Sequence, residues 1–185
     1  WLFEVGASAD ITRADNDGFT PMWIACLKGH LSVCQWLFEV GASADITRAD
    51  NDGFTPMWIA CLKGHLSVCQ WLFEVGASAD ITRADNDGFT PMWIACLKGH
   101  LSVCQWLFEV GASADITRAD NDGFTPMWIA CLKGHLSVCQ WLFEVGASAD
   151  ITRADNDGFT PMWIACLKGH LSVCQWLFEV GASAD

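Results

Sequence analysis

The chain consists of five uninterrupted copies of one 35-residue unit, WLFEVGASADITRADNDGFTPMWIACLKGHLSVCQ, followed by the first ten residues of a sixth. A fixed period of roughly 20 to 50 residues is typical of a solenoid, a propeller or another array, and not of a single closed core. In such an array each unit packs mainly on its neighbours. Every chemical feature of the unit, including any site, therefore recurs along the whole chain.

Within each unit, a tight turn leads into a first helix. Residues 15–18, Asp-Asn-Asp-Gly, have Asp at the first position and Gly at the fourth, which favours a type I turn. Thr20 and Pro21 are typical of an N-cap followed by the first helical position. The apolar residues that follow predict a short helix through Lys28, which Gly29 ends in the left-handed conformation.

A second helix follows the first almost directly. It is predicted to open at His30 and Leu31, to run to Val40 and to end at Gly41, because the apolar residues between them recur at helical spacing. Residues 42–49 alternate weakly between apolar and polar side chains, so we expect a short extended finger there. Such short helices are unstable alone in water, and the stacking of neighbouring units must stabilise them.

The predicted fold is an all-α solenoid of stacked helix-turn-helix units with finger-like loops. One array spans residues 1–185, and its units are placed at 15–49, 50–84, 85–119, 120–154 and 155–185. Residues 1–14 form a partial N-terminal unit, in which 1–5 would be the end of a preceding second helix. The chain begins at Trp1 without an initiating Met, which suggests that it is part of something longer.

Several residues at fixed offsets resemble the ankyrin repeat, whose pattern includes T-P-L-H-x-A. The matching positions are DNDGFTPMWIA at 15–25, Gly-His-Leu at 29–31, Val33, Leu37 and Gly-Ala at 41–42. The resemblance covers essentially the whole chain. It implies an ankyrin-type solenoid that binds other proteins and has no catalytic activity.

Two features of the unit differ from the ankyrin pattern. The usual period is about 33 residues, and we place the extra residues in the finger at 42–50, because loops tolerate insertions. Trp23 stands where the family has a His that hydrogen-bonds near the Thr. An indole donates one hydrogen bond and accepts none, so the network at the start of the first helix must differ. We expect Trp23 to contribute packing area.

The resemblance also implies where partners bind, namely on the concave face formed by the finger tips and the first helix of each pair. In the first complete unit this face carries Asn16, Asp17, Phe19, Leu27 and Lys28. Phe19 is the most suggestive of them, because aromatic residues are enriched among interface anchors. The alternative is that it packs on the Phe of the next finger and stiffens the array. The copies of these five residues are Asn51, Asp52, Phe54, Leu62, Lys63, Asn86, Asp87, Phe89, Leu97, Lys98, Asn121, Asp122, Phe124, Leu132, Lys133, Asn156, Asp157, Phe159, Leu167 and Lys168.

Metal binding and catalysis are both weakly supported. Cys26, His30 and Cys34 are residue types that bind zinc. A glycine-bearing turn lies inside this trio, however, and cysteine often fills small apolar positions, so we expect these residues to pack in the core and to bind no metal.

The sequence supports neither a calcium site nor a catalytic one. The carboxylates of residues 15–18 are spaced too closely for a calcium loop, and the final Glu of such a loop is absent. No hydrolase motif surrounds the serines or His30, so the sequence predicts no catalytic residue, no cofactor and no enzyme activity.

Charge and cysteine content narrow the class of partner and the compartment. The net charge of −12 argues against nucleic acid, which requires basic patches, and favours a basic partner. No apolar run approaches the roughly 18 residues of a membrane span. Ten cysteines without a secretory context are typical of reduced thiols, which predicts an intracellular, cytoplasmic protein without disulfides.

Two functions remain open at this point. The first is a protein-interaction scaffold, whose identical units, about 8–10 Å apart, would suit a periodic or multivalent protein or peptide. The second is a structural spacer, or an idealised copy of one natural repeat, with no specific partner. Because neither end carries a polar capping repeat, we also expect end-to-end self-association.

Overall fold

The computed structural model describes residues 10–182, and the helices in that range come in pairs, one pair to each 35-residue unit. The first helices are Pro21–Lys28 (α1), Pro56–Lys63 (α3), Pro91–Lys98 (α5), Pro126–Lys133 (α7) and Pro161–Lys168 (α9). The second helices are Leu31–Glu39 (α2), Leu66–Glu74 (α4), Leu101–Glu109 (α6), Leu136–Glu144 (α8) and Leu171–Glu179 (α10). The all-α solenoid expected from the sequence is confirmed. The helix end expected at residues 1–5 lies outside the described residues.

The ends of the first helix are formed by the residues that the sequence indicated. The Thr20 hydroxyl accepts a hydrogen bond from the Trp23 backbone N–H at 3.1 Å. Gly29 has a φ of 72°, and its N–H reaches the carbonyls of Ala25 and Cys26. The second helix ends one residue earlier than expected, at Glu39, with Val40 as its C-cap. These local signals therefore determine where each short helix begins and ends.

The segment after the second helix differs from the sequence-based expectation. Ser43–Ile46 forms a turn of 3-10 helix, so the prediction of an extended finger was wrong. Ala42 and Ile46 are both buried, and their spacing of four residues is a helical one that the weak alternation concealed. The same turn recurs at Ser78–Ile81, Ser113–Ile116 and Ser148–Ile151, and the described residues contain no strand.

The core runs continuously along the array. Each first helix packs on the second helix of its own unit, and successive first helices pack on each other. Fully buried side chains from both helices, such as Met57, Cys61, Val68 and Leu72, fill the space between them. Full burial of one such apolar side chain stabilises the fold by about 1.5–3 kcal/mol. Stacking therefore supplies the stability that these short helices lack alone.

Candidate functional site

The turn and the first helix of each unit together form one surface, which we call the ladder face (residues 15–28 and their copies every 35 residues). Asn16, Asp17 and Lys28 are exposed on this face, whereas Phe19 and Leu27 are half-buried. Their copies behave in the same way, except that Leu167 is exposed. The structure brings the Asn, Asp and Phe of each unit together on one short loop. Leu27 and Lys28 lie apart from this loop, in the last turn of α1.

A buried aspartate shapes each of the inner loops. Asp50 Oδ1 accepts hydrogen bonds from the N–H groups of Asp52 (3.0 Å) and Phe54 (2.8 Å). The Asp50 N–H in turn donates to the Phe54 carbonyl at 3.2 Å, which closes the loop. The second oxygen, Oδ2, is buried without a hydrogen-bond partner among the described residues. Burial raises the pKa of Asp50, although the two N–H donors oppose that shift. In the sequence, this residue is visible only as the first position of a turn.

These buried carboxylates give the stability of the array a pH dependence that can be tested at Asp85, the equivalent residue one unit later. Burial raises the pKa of Asp85 above its unfolded value, so the folded state takes up a proton at a pH at which the unfolded state is still ionised. The destabilising effect of the ionised group is thus present above the folded pKa and is relieved as the pH falls through it. We expect the parent protein to gain stability relative to Asp85→Asn between about pH 7 and pH 4 in urea unfolding.

The control for this prediction is the exposed neighbour Asp87, which lies on the same loop. Asp87→Asn removes the same charge but no buried group. Its difference in unfolding free energy from the parent should vary less with pH than that of Asp85→Asn. Equal pH dependence in the two variants would mean that net charge, and not burial, controls the effect.

Neighbouring turns are joined directly to each other. The Asn51 side-chain Nδ2 donates to the Asn16 carbonyl at 3.0 Å, and the Asn51 backbone N–H donates to the Asp17 carbonyl at 3.1 Å. Equivalent pairs of bonds join the turns of Asn86 to Asn51 and of Asn156 to Asn121. These asparagine amides, which we expected to face partners, therefore also hold the array together.

The tryptophan that replaces the family histidine connects successive units. The Trp23 ring stacks on Phe19 of its own unit, with ring centroids 4.3 Å apart and planes at 24°. Its indole Nε1–H donates to the carbonyl of Phe54 in the next unit at 2.9 Å. Phe19 thus packs on a tryptophan of its own unit, and the expected contact with the next Phe is not the one observed. One face of each Phe ring is engaged, and the residue remains half-buried.

The residues of the candidate zinc pattern are engaged elsewhere. His65 Nε2 lies 3.2 Å from the Leu27 carbonyl of the preceding unit and donates to it. Cys61 and Cys69 are buried with their Sγ atoms 3.7 Å apart, and burial, assisted by Cys69, raises the pKa of the Cys61 thiol well above its usual range. Residues 10–182 contain no group of three or more His, Cys, Asp or Glu side chains arranged to hold a metal ion.

A second row of aromatic contacts joins the second helices, and the sequence did not reveal it. The Phe38 ring meets the Trp71 ring edge to face, with centroids 5.9 Å apart and planes at 86°. The contact recurs in the pairs Phe73–Trp106, Phe108–Trp141 and Phe143–Trp176. This side of the array therefore offers four half-buried Phe residues, Phe38, Phe73, Phe108 and Phe143, that are comparable with Phe19 but lie on other helices.

A family model described as ankyrin repeats, in three copies, matches residues 1–85, 44–120, 77–155 and 113–185. The comparison with curated proteins gave no match. The part of the chain that the structure describes has no helix long and apolar enough to cross a membrane. The stacked helix pairs and the matches along its whole length show that the chain belongs to the ankyrin repeat family.

Proposed function

We propose that the chain is a non-catalytic scaffold that binds partner proteins or peptides through its ladder face. Ankyrin repeats are generally protein–protein interaction modules and are generally not enzymes. The observation that carries the proposal is the recurrence of an exposed Asp and a half-buried Phe on each rigidly hydrogen-bonded loop. Groups that are already ordered lose little conformational entropy on binding, which favours affinity.

The units at 15–49, 50–84, 85–119, 120–154 and 155–185 would act as five equivalent recognition elements in this proposal. A partner with one asymmetric epitope would use only part of such a surface. A periodic or multivalent partner would gain avidity from every unit that it engages. The net charge of −12 favours a basic partner protein over nucleic acid. The same proposal places the protein inside the cell.

Two matched sets of substitutions test which face is used. The first replaces three phenylalanines of the ladder face, Phe54→Leu, Phe89→Leu and Phe124→Leu. The second makes the same change on the second helices, Phe38→Leu, Phe73→Leu and Phe108→Leu, where the rings are also half-buried and paired with tryptophan. We expect partners captured by the parent chain to be lost with the first set and kept with the second.

The same experiment distinguishes the scaffold from the alternatives. Equal loss with both sets would contradict a specific ladder face. If no partner is captured at all, the structural spacer, or a copied repeat without a specific partner, becomes the better description. Circular dichroism melts of both sets must agree, because a difference in folding alone would also remove partners.

A specific observation also favours self-association, the second expectation for partners. In the last unit Trp163, Leu167, Leu171 and Phe178 are 44%, 59%, 68% and 75% exposed. In the inner units the equivalent residues are buried or half-buried against the next unit. We propose that chains of these 185 residues associate with each other through this apolar surface, since large apolar patches mark interaction sites. Sedimentation that shows a monomer at high concentration would contradict it.

A further inference from the structure

The hydrogen bonds between neighbouring turns limit how far apart equivalent residues can lie. An Asn side chain places Nδ2 at most about 3.8 Å from its own Cα, and a carbonyl oxygen lies about 2.4 Å from its own Cα. The bonds from Asn51 Nδ2 to the Asn16 carbonyl and from Asn86 Nδ2 to the Asn51 carbonyl are 3.0 Å and 3.3 Å long. Equivalent Cα atoms of adjacent turns are therefore at most about 9.5 Å apart, and closer where these atoms are not collinear.

This spacing discriminates between the backbone conformations of a periodic partner. A β-strand presents the same face every second residue, or about every 6.7 Å, so its matching repeats fall near 7 and 13 Å. An α-helix returns to nearly the same face after two turns, or about 10.8 Å, which exceeds the limit. A polyproline II helix has three residues per turn and a rise of about 3.1 Å, so one face recurs about every 9.3 Å. Successive first helices pack on each other, and packed helices lie about 8–10 Å apart. Together with the upper limit, this places equivalent residues about 8–9.5 Å apart, which excludes both the strand period of about 6.7 Å and a single α-helical turn of about 5.4 Å. Only the polyproline II helix therefore matches one turn of the partner to one unit of the array.

The chemistry of the ladder face agrees with this conformation. Each loop offers a half-buried Phe ring that is stacked on a Trp, as Phe54 is on Trp58 with ring centroids 4.2 Å apart. Aromatic surfaces of this kind are the usual docking sites for polyproline II segments. Two residues away on the same loop lies an exposed aspartate, such as Asp52, which can pair with a basic side chain.

We propose that the ladder face binds a basic, proline-rich segment in the polyproline II conformation, with a three-residue period and one turn for each ankyrin unit. The proline rings lie against the Phe54, Phe89 and Phe124 positions, and the basic residues face Asp52, Asp87 and Asp122. This inference rests on the proposed function, because it names the partner of the same surface.

The period is tested with synthetic peptides and the full chain. The probe is (Pro-Pro-Arg)5, and its control has the same composition with all five arginines at one end. Titration calorimetry should give a dissociation constant about tenfold lower for the periodic peptide, because only that peptide can engage successive units in the same way. Affinity should also rise from (Pro-Pro-Arg)2 to (Pro-Pro-Arg)5. Equal binding of the two longer peptides, or no binding of the periodic one, would overturn the inference.

Charge-matched variants test the assigned contacts. Asp52→Asn, Asp87→Asn and Asp122→Asn together remove three carboxylates from the ladder face. Glu74→Gln, Glu109→Gln and Glu144→Gln remove three exposed carboxylates from the second helices and serve as the control. We expect the first set to weaken binding of (Pro-Pro-Arg)5 about tenfold and the second set to leave it nearly unchanged, since exposed charges act at short range in salt.

The outcomes separate this inference from the function on which it rests. If both variant sets weaken binding equally, only net charge is being sensed and the inference fails. If the aspartate set alone weakens binding but the clustered peptide binds as well as the periodic one, the three-residue period is wrong and the ladder face remains the binding surface. If partners are insensitive to both the aspartate set and the phenylalanine set, the inference and the proposed function fail together.

Discussion

Replacing Trp93 by Ala should lower the free energy of unfolding by about 3–5 kcal/mol, as expected for truncation of a buried Trp. Trp93 is 5% exposed, stacks on Phe89 at 4.3 Å and donates from its indole to the Phe124 carbonyl at 2.9 Å. Truncation removes packing within one unit and leaves a carbonyl of the next unit without its partner. The loss therefore falls on the junction between units, where a stacked array derives its stability.

Two control variants separate the contribution of the indole hydrogen bond from that of burial against the next unit. The free energy of unfolding of each variant is measured by urea unfolding, followed by far-ultraviolet circular dichroism. Trp93→Phe keeps an aromatic ring but removes the indole N–H, and should account for about 1–2 kcal/mol of the loss. Trp163→Ala makes the original change at the copy that is 44% exposed, so it should be much less destabilising. If Trp93→Ala and Trp163→Ala were equally destabilising, the indole would not act between units.

The parts of the fold that the sequence predicted are those set by adjacent residues. Thr20 accepts from the N–H three residues later, and Gly29 closes the last turn of its own helix. Such contacts are encoded within a few positions, so helix ends follow from the local pattern. The 3-10 turn at Ser43–Ile46 was missed because the burial of Ala42 and Ile46 depends on the helices that cover them, which the pattern of eight residues does not show.

The contacts between units could not be predicted, for a reason specific to identical repeats. The indole of Trp23 bonds to a residue 31 positions later, and the His65 ring to one 38 positions earlier. Every copy of a residue is chemically the same, so the sequence cannot indicate whether a side chain contacts its own unit, the next or the preceding one. The dual role of the ladder-face Asn, exposed yet bonded to the neighbouring turn, became visible only when the stacking was known.

A glycine at the end of the first helix provides the second large effect. Gly99 has a φ of 75°, and a Cβ added there would lie 2.7 Å from Nδ1 of His135 in the next unit. Gly99→Ala therefore combines left-handed backbone strain, about 1–2 kcal/mol, with overpacking that costs about 1–3 kcal/mol. Displacement of the His135 ring would also disturb its hydrogen bond to the Leu97 carbonyl, now 3.1 Å long. We expect a total destabilisation of about 2–5 kcal/mol.

The repeat itself supplies the control, because Gly169 has the same neighbours in sequence and nearly the same φ, 73°, but no atom within 4 Å of an added Cβ. Gly169→Ala introduces the backbone strain alone and should cost only about 1–2 kcal/mol. The difference between the two variants in urea unfolding measures the contact of one unit with the next, free of local propensity. If the two substitutions were equally destabilising, the His135 ring would move aside without loss, and the glycine would be required only for its φ. A larger loss at Gly99 would show that this position also forms a close contact with the next unit.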